Sequence, residues 1–393
     1  MKIIDGYPDY MMESIKHVEE KREKNMSARV KSMSMEEREN ILKKYHPDYM
    51  EKTKKRLGVG VDKGKFLFKG LVDLLEARPV VDPKDVDLSK IDYNVDVLII
   101  GGGGAGTVAS LYAYESGVPL DKILIITKLR HGDANSMMAQ GGIQAADRPS
   151  DTPVLHYLDI YGGGHFTNKP DLARALALDA PKIINWHEQL GVIYDRKNDG
   201  EFMELSGGGT CKNRLHSAKD YTGMEIMRNI RDESRNLEIP VLEFCPVVEL
   251  LTDDKGHVAG GIAFNMETYE YHVIKAKATI LATGGSGRLH LSDYPTTNHY
   301  GATGDGLIMA YHVGANLIDL DTIQIHPTGD AYPEAIVGIL STEKLRGHGA
   351  VPVNKNGDPF VFPLEPRDVE SAAFIRECKE GRGLTTPTGM TGV

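Results

Sequence analysis

The run from Asn94 to Gly117 constrains this chain more than any other. Val95 to Ile100 is short, apolar and rich in β-branched residues, and a glycine follows it directly. That is the pattern of a parallel strand buried on both faces. Gly101, Gly103 and Gly106 then stand in G-x-G-x-x-G spacing, with Gly102, Gly104 and Ala105 between them. Residues 105 to 116 read as a helix, and Lys122 to Thr127 as a second strand. Between a strand and a helix, such glycines permit a tight turn, close approach of backbone to a pyrophosphate, and close helix–strand packing. The helix N-terminus adds N–H groups and the positive end of its dipole. Outside that context the same spacing is a turn that binds nothing; inside it, a dinucleotide site is expected.

One position departs from the NAD pattern. The second strand ends Ile126-Thr127-Lys128, where NAD recognition places an acidic residue about 20 residues past the loop to hold the ribose. Lys128 is cationic, so NAD loses support and a flavin dinucleotide held by other contacts stays open.

The chain has 393 residues, enough for two or three domains and a large core. With 41% hydrophobic and 26% charged residues it has the composition of an ordinary soluble globular protein. A net charge of −10 argues against a general nucleic-acid surface. Cys211, Cys245 and Cys378 are far apart, so neither a disulfide framework nor a metal site is expected. They cannot hold an iron–sulfur cluster by themselves, so electrons leaving this chain would pass to clusters on another. No stretch approaches the roughly 20 apolar residues that span a bilayer. Met1 to Tyr10 lacks an apolar signal core. The cytoplasm is therefore the expected location, with any membrane association made through partners.

Residues 1–90 are rich in lysine and glutamate and poor in glycine, and are expected to form a helical extension. Met11 to Lys24 and Met35 to Lys44 read as exposed helices, the second opened by the capping-box pair Ser34 and Glu37. Pro47 is expected to open a third helix ending near Leu57-Gly58. Phe66, Phe68, Leu71, Leu74 and Leu75 form an apolar patch, and Pro79 and Pro83 mark a linker. This extension either packs on its own domain or docks a partner subunit.

Further on, Ser136, Gln140, Gly141 and Gly142 lie on a polar, then glycine-rich loop suited to a ligand. Helices are expected within 151–190 and from Thr222 to Arg235, with a basic glycine-rich loop at 206–216 between them. Val241 to Leu251, His257 to Asn265 and Glu270 to Ile274 alternate as strands of a small antiparallel layer. Ala278 to Leu281 reads as a separate buried strand running into a glycine turn. Asp305 stands between two glycines at a helix start, either as an N-terminal cap or as a partner for a cofactor hydroxyl. Asn356-Gly357 marks a hairpin, and a helix runs from Glu365-Pro366-Arg367-Asp368 to about Glu380.

Taken in order, these motifs stop being independent. Gly101 to Gly106, Thr127-Lys128-Leu129, Ala139 to Gly142, Ala282 to Gly285, Thr303 to Gly306, His326 to Gly329, Glu343 to Gly347, Asn354 to Gly357 and Pro366 to Asp368 together resemble the flavoprotein subunit of succinate dehydrogenase and fumarate reductase. L-aspartate oxidase belongs to the same superfamily. The resemblance covers about residues 95–393. It implies an α/β fold: a Rossmann-like FAD-binding domain with a parallel central sheet and a small antiparallel layer (residues 91–320), followed by an incomplete α+β capping domain (residues 321–393). It implies FAD, with Gly101 to Gly106 on the pyrophosphate and Thr127, Lys128, Ser136, Gln140, Gly141, Gly142 and Asp305 as further contacts. His326 and Thr342 would bind a dicarboxylate, fumarate or succinate. Arg367 would pass a proton to or from it, and Glu343 and Arg346 would resupply Arg367. An iron–sulfur subunit is the implied electron-transfer partner.

The chemistry agrees in part. Fumarate reduction needs a hydride, which flavin N5 supplies and no side chain can, and a proton donor within hydrogen-bond reach. A guanidinium normally keeps its proton, so Arg367 serves as an acid only if a relay returns the proton quickly. The alternatives are a surface ion pair for Glu343 and Arg346, a structural salt bridge for Arg367 and a core role for His326.

Three departures from the resemblance bear on function. Many relatives link FAD covalently to a histidine five residues before the conserved glutamine. Here that position is Asn135, with His131 out of register, so non-covalent FAD is expected. His348 replaces the glutamate usual in the Arg-Gly-Glu-Gly-Gly motif. Finally, the family's later substrate histidine and arginine would fall beyond Val393. The expectation is a truncated product or a second polypeptide that completes the site. Rival readings are L-aspartate oxidase or another enoate reductase, and a non-catalytic flavin-binding or assembly subunit.

Overall fold

Six strands form the central sheet, in the order Val241–Leu242, Ile123–Ile126, Tyr93–Ile100, Tyr271–Leu281, Val258–Phe264, Val247–Thr252. The structure, a computed structural model, describes residues 6–291 and 294–393. Met1 to Asp5, part of the segment read for a signal core, lie outside the described residues. The first four strands of the sheet are mutually parallel, and the last two run antiparallel to their neighbours. Side chains alternate across the sheet as period two demands. Leu98, Ile100, Leu124 and Ile126 enter one core with Val247, Ile274 and Met309. Ile99, Ile123 and Ile125 enter another, against Leu111, Met227 and Ile230 of the covering helices Gly104–Glu115 and Thr222–Asn236. Burying each such side chain stabilises the fold by about 1.5–3 kcal/mol.

The sequence reading divided what is one strand. All of the first stretch, Glu270 to Ile274, except Glu270, and all of Ala278 to Leu281 belong to the 11-residue Tyr271–Leu281. It pairs antiparallel with Val258–Phe264 on one side and parallel with Tyr93–Ile100 on the other. Its end is exposed rather than buried: Ile280 is 37% and Leu281 39% exposed, and Leu281 borders a cavity described below. A separate three-stranded antiparallel sheet joins Ile143–Gln144, Asn213–His216 and Leu205–Ser206. Residues 206–216, expected as one loop, thus supply strand at each end. Helices Pro153–Gly163 and Pro170–Gln189 follow the Ile143–Gln144 strand, and Ala180 and Ile184 of the second share a core with Ala145, Val192 and Tyr194.

In the first 90 residues, Met12–Ser27 and Met35–Tyr45 are helices. Ser34 Oγ accepts from the Glu37 N–H at 3.3 Å while Glu37 accepts from the Ser34 N–H at 2.7 Å, closing the capping box. The third helix does not form. Pro47 opens only a single 3₁₀ turn, and Lys54–Arg56 instead pairs antiparallel with Phe66–Phe68. That pairing buries Leu67 and Phe68, and Leu57, Leu71, Val72 and Leu75 join them against Tyr311 and Leu317. A helix through Leu57 would have forgone that hairpin. Ile41, Leu42 and Tyr45 pack on Val369, Ala372, Ala373 and Ile375 of the helix Arg367–Lys379. These side chains of the segment are therefore buried on the rest of the same chain, whereas others, Met26, Met35, Phe66 and Val80 among them, stay exposed. No helix among the described residues is long and apolar enough to cross a membrane.

Candidate cofactor and substrate site

The strand Tyr93–Ile100 delivers the glycine loop to the carboxyl end of the sheet, where open α/β sheets bind ligands. Gly101 has a φ of +116°, and a Cβ there would lie 2.2 Å from the Ala282 carbonyl oxygen. A Cβ on Gly106 would lie 1.8 Å from the Gly101 carbonyl oxygen. Only glycine fits at either position without moving backbone. Around the loop lies a cavity of about 370 Å³ lined by Gly101, Gly102, Gly103, Gly104 and Ala105, by Thr127, Lys128, Asn135 and Ser136, and by Asp305. Gly106 lies buried under the loop rather than on the cavity wall.

These groups suit an anionic dinucleotide. The first turn of Gly104–Glu115 has N–H groups without intrahelical partners, and Ser136 Oγ accepts from that of Gly104 at 3.1 Å. Lys128 brings positive charge to the rim. Its Nζ lies 2.6 Å from Asp305 Oδ2 and 2.8 Å from Thr303 Oγ1. Asp305 is the first residue of the helix Asp305–His312 but does not cap it. Its carboxylate faces Lys128 and the Thr303 hydroxyl.

Asn135 also borders the cavity. Its side chain donates to Asn298 Oδ1 at 3.0 Å and accepts from the His299 N–H at 2.7 Å, holding the two loops together. His131 turns away, 2% exposed, with Nε2 2.9 Å from Thr107 Oγ1. Burial pushes its ring down to about 4.

Gln140, Gly141 and Gly142 are not brought to this cavity. The Gln140 carbonyl accepts from Thr222 Oγ1 at 3.1 Å, and a Cβ on Gly141 would lie 4.0 Å from Thr342 Oγ1. The loop therefore runs from the cradle to a second cluster.

That cluster is a file of alternating charge. Arg367 Nε donates to Glu343 Oε2 at 2.9 Å, with Nη2 2.7 Å from the same oxygen. Arg346 Nη2 lies 3.8 Å from Glu343 Oε2, and Arg346 Nη1 donates to Glu370. Glu343 Oε1 accepts from the Gly208 N–H at 2.7 Å. The side chains of Glu343, Arg346 and Glu370 are 10%, 4% and 0% exposed, whereas that of Arg367 is 40% exposed. The pair is thus no surface ion pair: the file is buried at one end and open at Arg367.

Burial pushes the Glu343 carboxyl up, but Arg367, the Gly208 N–H and Arg346 together outweigh it, and the net shift is downward. Burial pushes Glu370 up to about 8 against the pull of Arg346. Burial, aided by Arg367 and Arg346, brings His326 down to about 4, so its ring is neutral near pH 7. His326 Nδ1 faces the Thr328 N–H and hydroxyl, both at 3.3 Å. Thr342 Oγ1 accepts from the Lys344 N–H at 3.3 Å.

Sequence reasoning missed Glu370 and Gln324. Glu370 lies three residues after Arg367 on one helix, a spacing that signals a shared face. Gln324, whose Oε1 accepts from Arg367 Nη1 at 2.9 Å, is 43 residues away and gives no local signal. Asp147, Glu204 and His216 bring ligand-type atoms within 4.8 Å of one another on the small sheet. His216 faces Asp147 Oδ2 at 3.0 Å, and Arg148 offsets Glu204 at 3.0 Å. All three cysteines are free.

A glycine-walled anion cradle at the head of a parallel sheet defines a dinucleotide-binding α/β protein. Residues 96–389 match the family described as "FAD binding domain", and the chain belongs to that family. Among its relatives, a fumarate reductase (CoM/CoB) chain of Methanothermobacter marburgensis is 36% identical over 301 residues, covering 74% of this chain and 54% of that protein. The fumarate reductase flavoprotein of a Serratia species is 33% identical, with 76% and 51% covered. A solved structure of the E. coli quinol fumarate reductase superposes with a TM-score of 0.69 at 32% identity, over 76% of this chain and 52% of that one. The chain thus spans about half the length of the curated relatives it matches.

Proposed function

We propose that this chain is the FAD-carrying part of an oxidoreductase that interconverts fumarate and succinate, electrons passing to or from an iron–sulfur partner. The observation that carries this reading is the file Arg367–Glu343–Arg346, buried inside and open at its Arg367 end. FAD, held by the glycine loop, Thr127, Lys128, Ser136 and Asp305, would supply the hydride chemistry that side chains lack. The protein's own residues handle the substrate and the proton. His326, whose ring feels the charges of Arg367 and Arg346, and Thr342, next in sequence to Glu343, would bind one side of the dicarboxylate as neutral hydrogen-bonding groups. Arg367 would orient a substrate carboxylate and release a proton to the adjacent carbon.

An arginine resists deprotonation. The Glu343 carboxylate at 2.7 Å favours the charged guanidinium, but it also holds it in place and can return a proton once Arg367 has given one up. Glu343 is in turn flanked by Arg346, whose partner Glu370 can hold a proton near neutral pH. That the Serratia relative is a flavoprotein subunit supports electron exchange with a further subunit. Asn135 has an amide where a ring nitrogen would be needed for a covalent link, which supports non-covalent FAD.

The test is turnover by the natively assembled protein with reduced viologen, offering fumarate, a 2-enoate with one carboxylate, or L-aspartate with an oxidant. Fumarate reduction supports the reading. Reduction of the monocarboxylate alone, or oxidation of L-aspartate alone, would replace it.

A further inference from the structure

Glu365 is fully buried, and the groups that face it come from far away in the sequence, two hydrogen bonds on one oxygen and an ion pair on the other. Its Oε1 accepts from Ser32 Oγ at 2.8 Å and from the Met33 N–H at 2.6 Å. Arg38 Nη2 stands 2.7 Å from its Oε2 and donates to Ser32 Oγ at 2.8 Å. All three partners precede residue 96, where the match to the family begins. Only Pro366 separates Glu365 from Arg367. Ten residues beyond Arg38, Asp48 Oδ1 accepts from the Ile323 N–H at 3.0 Å. The next residue is Gln324, whose side chain holds Arg367 Nη1. Between these two grips, Ile41, Leu42 and Tyr45 cover the helix that Arg367 opens.

A surface ion pair adds little. A carboxylate with no exposure is different, because its desolvation is offset only while its partners stay in place. Displacing them would force Glu365 toward water and carry the start of the helix with it. Positioning errors of this kind are costly in rate even when binding survives.

We propose that residues 32–48 are a positioning element of the active centre. Ser32, Met33 and Arg38 act through Glu365, and Asp48 acts through Ile323 and Gln324, to fix the Arg367 guanidinium for proton transfer. The proposal rests on the reading of Arg367 as the proton donor.

The experiment measures viologen-coupled fumarate reduction, flavin content, and the succinate Kd read from flavin absorbance, all on the natively assembled, FAD-loaded protein. Arg38→Met lowers kcat by about 10- to 100-fold while the Kd moves less than about threefold and flavin content is unchanged. Arg38→Lys recovers most of the rate. Ser32→Ala gives a smaller loss of the same kind and serves if Arg38→Met does not accumulate. Lys21→Ala breaks an exposed contact between the preceding helix Met12–Ser27 and Asp358, and leaves kcat unchanged. Unchanged kcat in the Arg38 and Ser32 variants overturns the proposal, as does a loss matched by Lys21→Ala or by equal weakening of succinate. If the parent protein neither reduces fumarate nor responds to succinate, the reading of the site fails and takes the proposal with it. If the parent is active and sensitive to Arg367→Lys while Arg38 and Ser32 variants are indifferent, only the proposal fails.

Discussion

Arg367 and Lys128 are both cations held by carboxylates, yet they are expected to fail in opposite ways. Arg367 lies outside the glycine cavity, and Glu343 and Gln324 fix its guanidinium. Arg367→Lys should lower kcat by about 10²–10⁴ with flavin content unchanged, as steady-state kinetics and the absorption spectrum will show. Lys128 lies on the cavity rim, paired with Asp305. Lys128→Ala should weaken FAD by about tenfold or more, the value of a charge-assisted hydrogen bond, in a fluorescence titration, while the rate of the loaded protein stays near parental. Both residues were legible in the sequence because their motifs are short and contiguous. Glu370 was legible in principle, from its spacing to Arg367. Gln324 and the partners of Glu365 were not, since no local periodicity links residues tens or hundreds of positions apart.

Strands and helices were most readable where one face is apolar over several residues. Ile123–Ile126 is buried throughout and was found as a strand. Lys54–Arg56 has polar side chains and is strand only because Phe66–Phe68 pairs with it, so propensity alone pointed elsewhere. The tight step from the glycine loop into Gly104–Glu115 should tolerate no side chain. Gly106→Ala would put a methyl group 1.8 Å from a carbonyl oxygen and should abolish flavin binding, read as a colourless protein.

The helix Arg367–Lys379 is tied at its other end by Glu377, whose carboxylate meets Asn354, Arg376 and Arg382. Burial pushes Glu377 up, but Arg382, Asn354 and Arg376 outweigh it and bring it down to about 2. An unfolded glutamate titrates near about 4.3. A folded pKa below the unfolded one contributes stability that is complete above the unfolded value and is lost as pH falls through the folded value. Urea melts should therefore show a loss of stability from about pH 4.3 downward, and Glu377→Gln should flatten that loss.

As a whole, the chain presents the dinucleotide end of a parallel sheet on one side of the Gln140–Gly142 loop and the buried charge file on the other. The parallel core and the Gly101–Gly106 loop were apparent from residues 94–127 alone, because a βαβ unit is local. The continuity of Tyr271–Leu281 across the parallel and antiparallel parts of the sheet was not, because its two halves have neighbours of opposite direction. Nor was the docking of residues 32–75 on two separate faces of the molecule, which rests on contacts hundreds of residues apart. If FAD is held only by these contacts, denaturing the native protein in acid should leave all of the yellow chromophore in the supernatant and none on the precipitated polypeptide.

The central claim joins a flavin to a proton relay, and one anaerobic experiment addresses both. The natively assembled protein is reduced with a limiting amount of dithionite, and fumarate is then added while the spectrum is recorded between 350 and 500 nm (roughly the range of flavin absorption). The prediction is that the oxidised-flavin band bleaches on reduction and returns on adding fumarate, quickly in the parent and at least about 100-fold more slowly in Arg367→Lys. A protein without a flavin band, or one whose band stays bleached in the presence of fumarate, would contradict it.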